Sequence, residues 1–157
     1  MYTCEFEAVA IAATQDAFEF APADDKPIFL AGLDISNASG AADMGDAQEE
    51  SLRWRIIRGH ATTGTGGSTA TPRPLDPSGP AAGFVCEINN TTIASAGTAV
   101  NMGSFGRNNR INSGDLWPEE LWVGCSQSVG ALLVVRLMAN PADSIAMSGT
   151  AWVYEVG

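Results

Sequence analysis

The sequence predicts an all-β protein built as an antiparallel β-sandwich, and two patterns carry that prediction. First, apolar and polar residues alternate with a two-residue period in residues 52–56 and 150–156, while residues 131–137 are apolar at nearly every position. Second, 17 glycines are spread along the 157 residues, which suits an architecture with many turns. No window shows a sustained 3.6-residue period, so we expect little helix.

The first expected strands can be placed from their apolar faces. Residues 2–6 alternate, with Glu and Thr on the wet face, and Phe18 and Phe20 mark a second strand. Residues 28–35 are apolar at consecutive positions, which predicts a third strand deep in the sandwich.

The second half continues the pattern with one interruption. Residues 84–88 alternate, whereas residues 94–114 are small and polar and predict no strand. Pro118 opens a short turn that leads to a strand at residues 121–123, and residues 131–137 should form a central strand. The total is about eight strands, which is typical of a jelly-roll-like sandwich. An immunoglobulin-like sandwich is the second choice, since its Cys…Trp…Cys spacing is missing.

Residues 59–83 form the longest stretch without apolar periodicity in the expected single domain of residues 1–157. Connections in compact domains are usually about 4–6 residues long, so a longer one is normally a binding arm, a lid or a disordered tip. The flexible residues come first and the stiff ones follow: Gly64, Gly66 and Gly67, then Pro72, Pro74 and Pro77.

Three interpretations of residues 59–83 stay open: an arm that contacts a neighbouring subunit, a rigid loop packed on its own domain, and a disordered segment. Under the first, Arg73 lies between Pro72 and Pro74, where it is placed to pair with a partner's carboxylate. Leu75 belongs to the same candidate interface. Deletion of residues 65–77 should then leave the sandwich folded and weaken assembly, because the segment adds almost no apolar periodicity to the core.

The composition narrows the classes of partner. Eighteen acids against eight bases give a net charge of -10 and a pI near 4.3. Nucleic-acid surfaces need clustered Lys and Arg, so we expect no nucleic-acid partner. The first residues lack the basic segment of a secretory signal, and no apolar run reaches the ~18–20 residues of a membrane span. We therefore expect a protein made in the cytoplasm, without membrane contact.

Cys4, Cys86 and Cys125 are widely spaced and accompany no CxxC or Cys/His cluster, so zinc is not expected. Two arrangements are open. We favour three buried, reduced cysteines over one disulfide with one remaining thiol.

A further cation candidate is the acidic segment of residues 43–50. Its spacing does not match the twelve-residue EF-hand loop, so we interpret it as a solvated turn. A cation that bridges symmetry-related copies is the alternative. The acids concerned are Asp43, Asp46, Glu49 and Glu50.

No pattern of an enzyme is found. His60 is the only histidine, and neither a GxSxG elbow nor a metal-ligand spacing accompanies it, so we expect it to hydrogen-bond loop backbone. The run GTGGS at residues 64–68 lacks the lysine and the helix of a phosphate-binding loop. Nothing selects a pair of carboxylates for glycoside hydrolysis. We expect no catalytic residue, no metal and no cofactor; a hydrolase whose turnover depends on His60 is the remaining alternative.

Several short motifs resemble those of small virion-associated proteins of tailed bacteriophages: GDAQEE, RGHATTGTGG, TPRPLDP, NNTT, LLVVRL and PADSIAMSGTAWVYEVG. The resemblance covers most of the chain from Asp43 onward and is to β-sandwich head proteins of the decoration, or cement, kind. It implies a non-enzymatic accessory protein, commonly trimeric, that binds the major capsid protein on the exterior of the virion. It transfers no catalytic residues. It leaves open whether the first 40 residues form strands or a capsid-binding arm.

A receptor- or carbohydrate-binding sandwich of a phage tail or fibre is the second functional hypothesis, because tryptophan rings can supply platforms for sugars. Trp54 and Trp152 lie in alternating strands, which predicts core positions. Trp117 and Trp122 flank a turn, which predicts an exposed site. The candidate interface of this sequence therefore comprises Pro72, Arg73, Pro74, Leu75, His60, Trp117 and Trp122.

Overall fold

The structure, a computed structural model, describes residues 1–37, 50–108, 114–127 and 132–157. Those ranges contain twelve strands and one 3₁₀ turn at Glu119–Leu121, and no helix within them is long and apolar enough to cross a membrane. The strands are β1 (Tyr2–Ile11), β2 (Asp16–Ala21), β3 (Ile28–Asn37), β4 (Ser51–His60), β5 (Ser68–Ala70), β6 (Arg73–Pro74), β7 (Val85–Asn90), β8 (Val100–Asn108), β9 (Gly114–Leu116), β10 (Val123–Cys125), β11 (Leu132–Leu137) and β12 (Ile145–Glu155).

The strands form two antiparallel sheets that pack face to face. Sheet A has the strand order β10-β3-β12-β1-β6, and β9 pairs with β3 as well. Sheet B has the order β5-β7-β2-β11-β4-β8. The predicted all-β sandwich is confirmed, and the first 40 residues contribute β1, β2 and β3 to it.

Strand alternation builds the core between the sheets. In β12 Ala151 and Val153 are fully buried, while Trp152 between them faces outward. From sheet B, Phe18 and Phe20 enter the same core and stack at a centroid distance of 5.8 Å. Trp54 of β4 is fully buried there, as the sequence predicted.

The central strand β11 is apolar on both faces because both faces are covered. It pairs with β2 on one side and β4 on the other, as expected for a central strand. Leu133 and Val135 face the main core, whereas Leu132 and Val134 form a second small cluster with Ala94. The loop that carries Ala94 therefore closes the outer face of sheet B at this point.

The predicted count of about eight strands was too low, since twelve lie within the described ranges. The largest omission is β8, which pairs with β4 along most of its length. It is an edge strand whose side chains are mostly exposed, so its sequence needs no apolar period. Because strand prediction relied on that period, β8 was not recognised. The prediction that residues 94–114 contain no strand was wrong.

Residues 59–83 contain two short strands, which their lack of apolar periodicity does not predict. β5 pairs with β7 in sheet B, and β6 pairs with β1 in sheet A, so the segment crosses from one sheet to the other. Ala70 is buried in the main core. The structure fits the rigid loop packed on its own domain, and deletion of residues 65–77 would remove two strands.

Candidate binding cleft

The candidate site lies on the outer face of sheet A. The strand register places Phe29 of β3 beside Tyr154 of β12 on one side and Gly124 of β10 on the other. Leu30 and Val153 are fully buried, so alternation turns Phe29 and Tyr154 outward. A Cβ atom on Gly124 would lie 2.8 Å from Cε1 of Phe29, so the phenyl ring lies against the bare backbone of Gly124 and would have to shift for any larger residue.

Trp122 completes the aromatic group. It follows the 3₁₀ turn, which Pro118 precedes, and its ring centroid lies 5.5 Å from that of Tyr154 at an angle of 44°. The indole Nε1–H donates a hydrogen bond of 2.9 Å to the carbonyl of Trp117. This bond fixes the indole ring and uses its single donor.

These rings bound an open cleft of about 280 Å³. Its one carboxylate is that of Glu119, an exposed residue that makes no salt bridge with any residue in the described ranges. The cleft is therefore an aromatic surface beside a carboxylate that has no salt-bridge partner in the part of the chain that the structure describes. Its lining residues are Phe29, Glu119, Trp122, Tyr154 and Val156.

Two exposed leucines lie in the segment that leads from β9 to the cleft. β9 and β10 border the same edge of β3; Leu116 of β9 lies opposite Gly32 of β3, and Leu121 immediately precedes Trp122 in the chain. The two side chains are 64% (Leu116) and 63% (Leu121) exposed, the highest fractions among large apolar residues in the described part of the chain. A folded surface that exposes such groups together is typical of an interaction site.

The structure separates the predicted roles of the tryptophans. Trp122 is half-buried and lines the open cleft. Trp117 was expected there too, but it is half-buried and packs against the core. The core position predicted for Trp152 was wrong, since it is half-buried on the outer face of β12.

The proline segment holds the edge of its own sheet. The Arg73 guanidinium lies 2.9 Å from the carboxylate of Glu5 on the neighbouring strand β1, so its nearest acid belongs to the same chain. Pro72 and Pro74 are half-buried, and Leu75 donates its backbone N–H to the carbonyl of the first residue at 3.0 Å. The Leu75 side chain remains 56% exposed. Of the four candidate interface residues in this segment, only Arg73 and Leu75 are exposed to solvent.

His60 is buried at the end of β4, where its Nδ1 lies 3.3 Å from the carbonyl oxygen of Ala96. The expected hydrogen bond to loop backbone is confirmed. With 8% of its surface exposed, His60 offers little area to a partner.

A second, polar cleft of about 320 Å³ lies along the glycine-rich part of the crossing segment. Beneath it, Glu19 is buried and accepts hydrogen bonds from Gly64 N at 2.9 Å, from Asn90 Nδ2 at 3.3 Å and from the Thr63 hydroxyl. Glu87 stands opposite Glu19 in the ladder and accepts from the same Asn90 amide at 2.9 Å. The carboxylates disfavour a phosphate here, and their hydrogen bonds serve to anchor the segment.

The three cysteines are buried thiols without a disulfide, as favoured from the sequence. Burial raises the pKa of the Cys86 thiol well above its usual range. Burial also raises the pKa of the Cys125 thiol to about 11, and the Arg58 guanidinium opposes this shift. Both thiols are therefore poor nucleophiles at neutral pH.

The raised thiol pKa values predict a loss of stability in alkali. Because the folded state binds the Cys125 proton more tightly than the unfolded state, the free energy of unfolding should fall as pH rises from about 9 to about 11. Urea unfolding at pH 8 and pH 10.5 should show a smaller drop for Cys125→Ala than for the parent. An equal drop in both proteins would contradict this assignment.

The acidic candidates for a cation divide into two groups. Asp43, Asp46 and Glu49 lie outside the described residues. Glu50 accepts hydrogen bonds from Ala142 N at 3.1 and 3.2 Å, which ties the start of β4 to a loop. Elsewhere in the described ranges, no group of three or more His, Cys, Asp or Glu residues is placed to hold a metal ion.

Sequence reasoning found Trp122 but missed the rest of the cleft. Phe29 stands in a run that is apolar at consecutive positions, and the outward face of β12 also carries the aromatic residues Trp152 and Tyr154, so the two faces of each strand look alike in sequence. The signal that separates them is the pairing of Phe29 with Gly124, which depends on strand register.

Comparisons of the chain with protein-family models, curated proteins and solved structures found no match.

Proposed function

We propose that the chain is a non-enzymatic decoration protein that binds the outer surface of a bacteriophage capsid through the outer face of sheet A. The observation that carries this proposal is the exposure of Leu116 and Leu121 in the chain segment that leads to the aromatic cleft. Interface centres are enriched in aromatic and apolar side chains and are commonly rimmed by polar groups. Glu119 and Glu120 supply polar groups next to Leu121 in the chain, and both are exposed.

The partner in this proposal is the major capsid protein, and the chain acts as a trimer. Decoration works by burying area across neighbouring subunits, and a specific interface buries roughly 1,200–2,000 Å² in total. A flat sheet face with exposed leucines can supply area of that kind. The net charge of -10 suits a protein on the outside of a particle that must not bind nucleic acid.

Co-sedimentation tests this proposal. Capsids assembled from the major capsid protein of the same phage would be mixed with the parent chain, with Leu121→Glu and with Leu75→Glu. Leu121 lies on the proposed face, whereas Leu75 is similarly exposed beside β6 at the opposite edge of sheet A. A buried charge in an interface costs several kcal/mol, so Leu121→Glu should lose binding and Leu75→Glu should retain it.

Each outcome of that experiment is decisive. Loss of binding only for Leu75→Glu would move the interface to the proline segment, and no binding by the parent would reject decoration. Light scattering on the purified parent adds the oligomeric state. A trimer is expected, and a monomer at micromolar concentration would count against this form of the proposal.

A carbohydrate-binding module is the second candidate, and the aromatic cleft is the observation that favours it. Sugar sites combine a stacking ring with several hydrogen-bonding groups that fix the hydroxyls. Here the Trp122 N–H is already bonded to Trp117, which leaves Glu119 and the Tyr154 hydroxyl as the polar side-chain groups of the lining. The cleft is thus poorer in polar partners than a sugar site requires.

A further inference from the structure

The aromatic cleft has the chemistry of a site for a cation. Phe29, Trp122 and Tyr154 present aromatic rings, and Glu119 adds a carboxylate without a salt-bridge partner among the described residues. Aromatic faces are negative and attract a cation within about 6 Å of the ring centroid. A neutral ligand would gain from the rings but would leave the carboxylate unused.

The shape of the site distinguishes among cations. The rings of Trp122 and Tyr154 contact each other, with their centroids 5.5 Å apart and their planes at 44°. A ligand therefore lies against the two rings and does not enter between them. A flat cation can cover an indole face, whereas a round ammonium group touches it at one point. The guanidinium group also has N–H donors in its plane. These donors can pair with a carboxylate at the rim of the cleft, and Glu119 supplies one.

We propose that this cleft binds an arginine side chain presented by a partner protein, with the guanidinium stacked on Trp122 and paired with Glu119. The inference rests on the proposed function, in which the partner is a protein. The hydrogen bond from Trp122 to Trp117 preorganises the indole, so little side-chain freedom is lost on binding. The arginine stem lies over Phe29 and Val156. Eighteen acids against eight bases make the whole chain complementary to a basic partner.

The test uses small probes and the full chain. N-ethylguanidinium chloride is titrated at constant ionic strength, and proton–nitrogen spectra follow the indole N–H signals of the four tryptophans. The Trp122 signal, assigned with Trp122→Phe, should move with millimolar affinity, while that of buried Trp54 stays in place. N-ethylurea, the neutral isostere, should bind about tenfold more weakly. N-butylammonium should bind more weakly than the guanidinium as well.

Two acidic neighbours supply a matched pair of variants. Glu119→Gln should weaken N-ethylguanidinium binding about fivefold, because it removes the charge that faces the cleft. Glu120→Gln should leave the affinity unchanged, since Glu120 is also exposed but does not line the cleft. Unfolding curves for both variants check that the fold is retained.

The remaining outcomes separate this inference from the function on which it rests. Equal affinity for N-ethylurea, equal affinity for N-butylammonium, or equal effects of the two glutamine variants would overturn the assignment of arginine. Absence of any shift at about 50 mM probe would overturn the site. Probe binding without capsid binding by the parent would leave the cleft in place and reject decoration.

Discussion

Replacement of Asp16 by Ala should lower the free energy of unfolding by about 3–5 kcal/mol, because it leaves a buried charge without its partner. Asp16 is fully buried on β2, and its Oδ2 accepts a hydrogen bond of 3.0 Å from the Arg136 guanidinium of β11. Both groups also hold the loop at Ala94. The Ala94 N–H donates to Asp16 at 2.6 Å, and its carbonyl accepts from Arg136 at 2.8 Å.

The loss is large because the pair supports a cluster as well as a charge. The loop at Ala94 covers Leu132 and Val134 on the outer face of sheet B. When Asp16 is removed, Arg136 must either stay buried and uncompensated or move out to water. The first response costs the desolvation of an unpaired charge, and the second uncovers apolar surface beneath the loop.

Urea unfolding of Asp16→Ala, Arg136→Met and the double variant measures the effect and its origin. The double variant should be less destabilised than the sum of the two single variants, because neither charge is then left alone. Glu5→Ala serves as the control, since it breaks the exposed Arg73 pair and should cost at most about 1 kcal/mol. Equal costs for Asp16→Ala and Glu5→Ala would contradict this account.

The sequence was sufficient for the class of fold because alternation reports burial directly. In each strand, every second side chain faces the core, as Val153 does in β12 and Phe18 does in β2. A sheet built from such strands has one buried face and one solvated face. The same rule misplaced Trp152: its strand alternates as expected, but Trp152 lies on the outward face and not on the core face. Period can be read locally, whereas the choice of inner face depends on which strands lie opposite.

The crossing segment shows why the rest could not be predicted. β5 and β6 are three and two residues long, and their partners β7 and β1 are distant in the sequence. Such strands have no periodicity of their own, because hydrogen bonds to neighbouring strands and buried acceptors such as Glu19 determine their course. A run of Gly, Thr and Pro therefore looks structureless when the strands beside it are unknown.

The cleft was predictable only in part for the same reason. Trp122 was found because it flanks a turn, which is a local feature. Phe29 and Tyr154 become neighbours through the pairing of β3 with β12, far apart in sequence. The relevance of Glu119 follows only after these three rings are in place.

Replacement of Gly67 by Ala should lower the free energy of unfolding by about 3 kcal/mol, although a free arm is one of the interpretations that the sequence leaves open for this stretch. A Cβ atom there would lie 2.1 Å from the carbonyl oxygen of Ile88 and 2.6 Å from Oδ1 of Asn90. The first contact is with the backbone of β7, which is held by β2 on its other side, so it cannot move aside cheaply. The substitution must therefore displace β5 from sheet B.

Gly103→Ala is the matched control for this prediction. Gly103 is also in sheet B, but a Cβ atom there would meet only Cδ1 of Ile56 at 3.9 Å, an ordinary contact. Replacing this glycine in a strand should be neutral or slightly stabilising, because alanine restricts the unfolded chain. Urea unfolding and thermal melts of both variants decide the matter: a free arm would tolerate both substitutions equally, whereas a segment that closes the edge of the sandwich tolerates only the second.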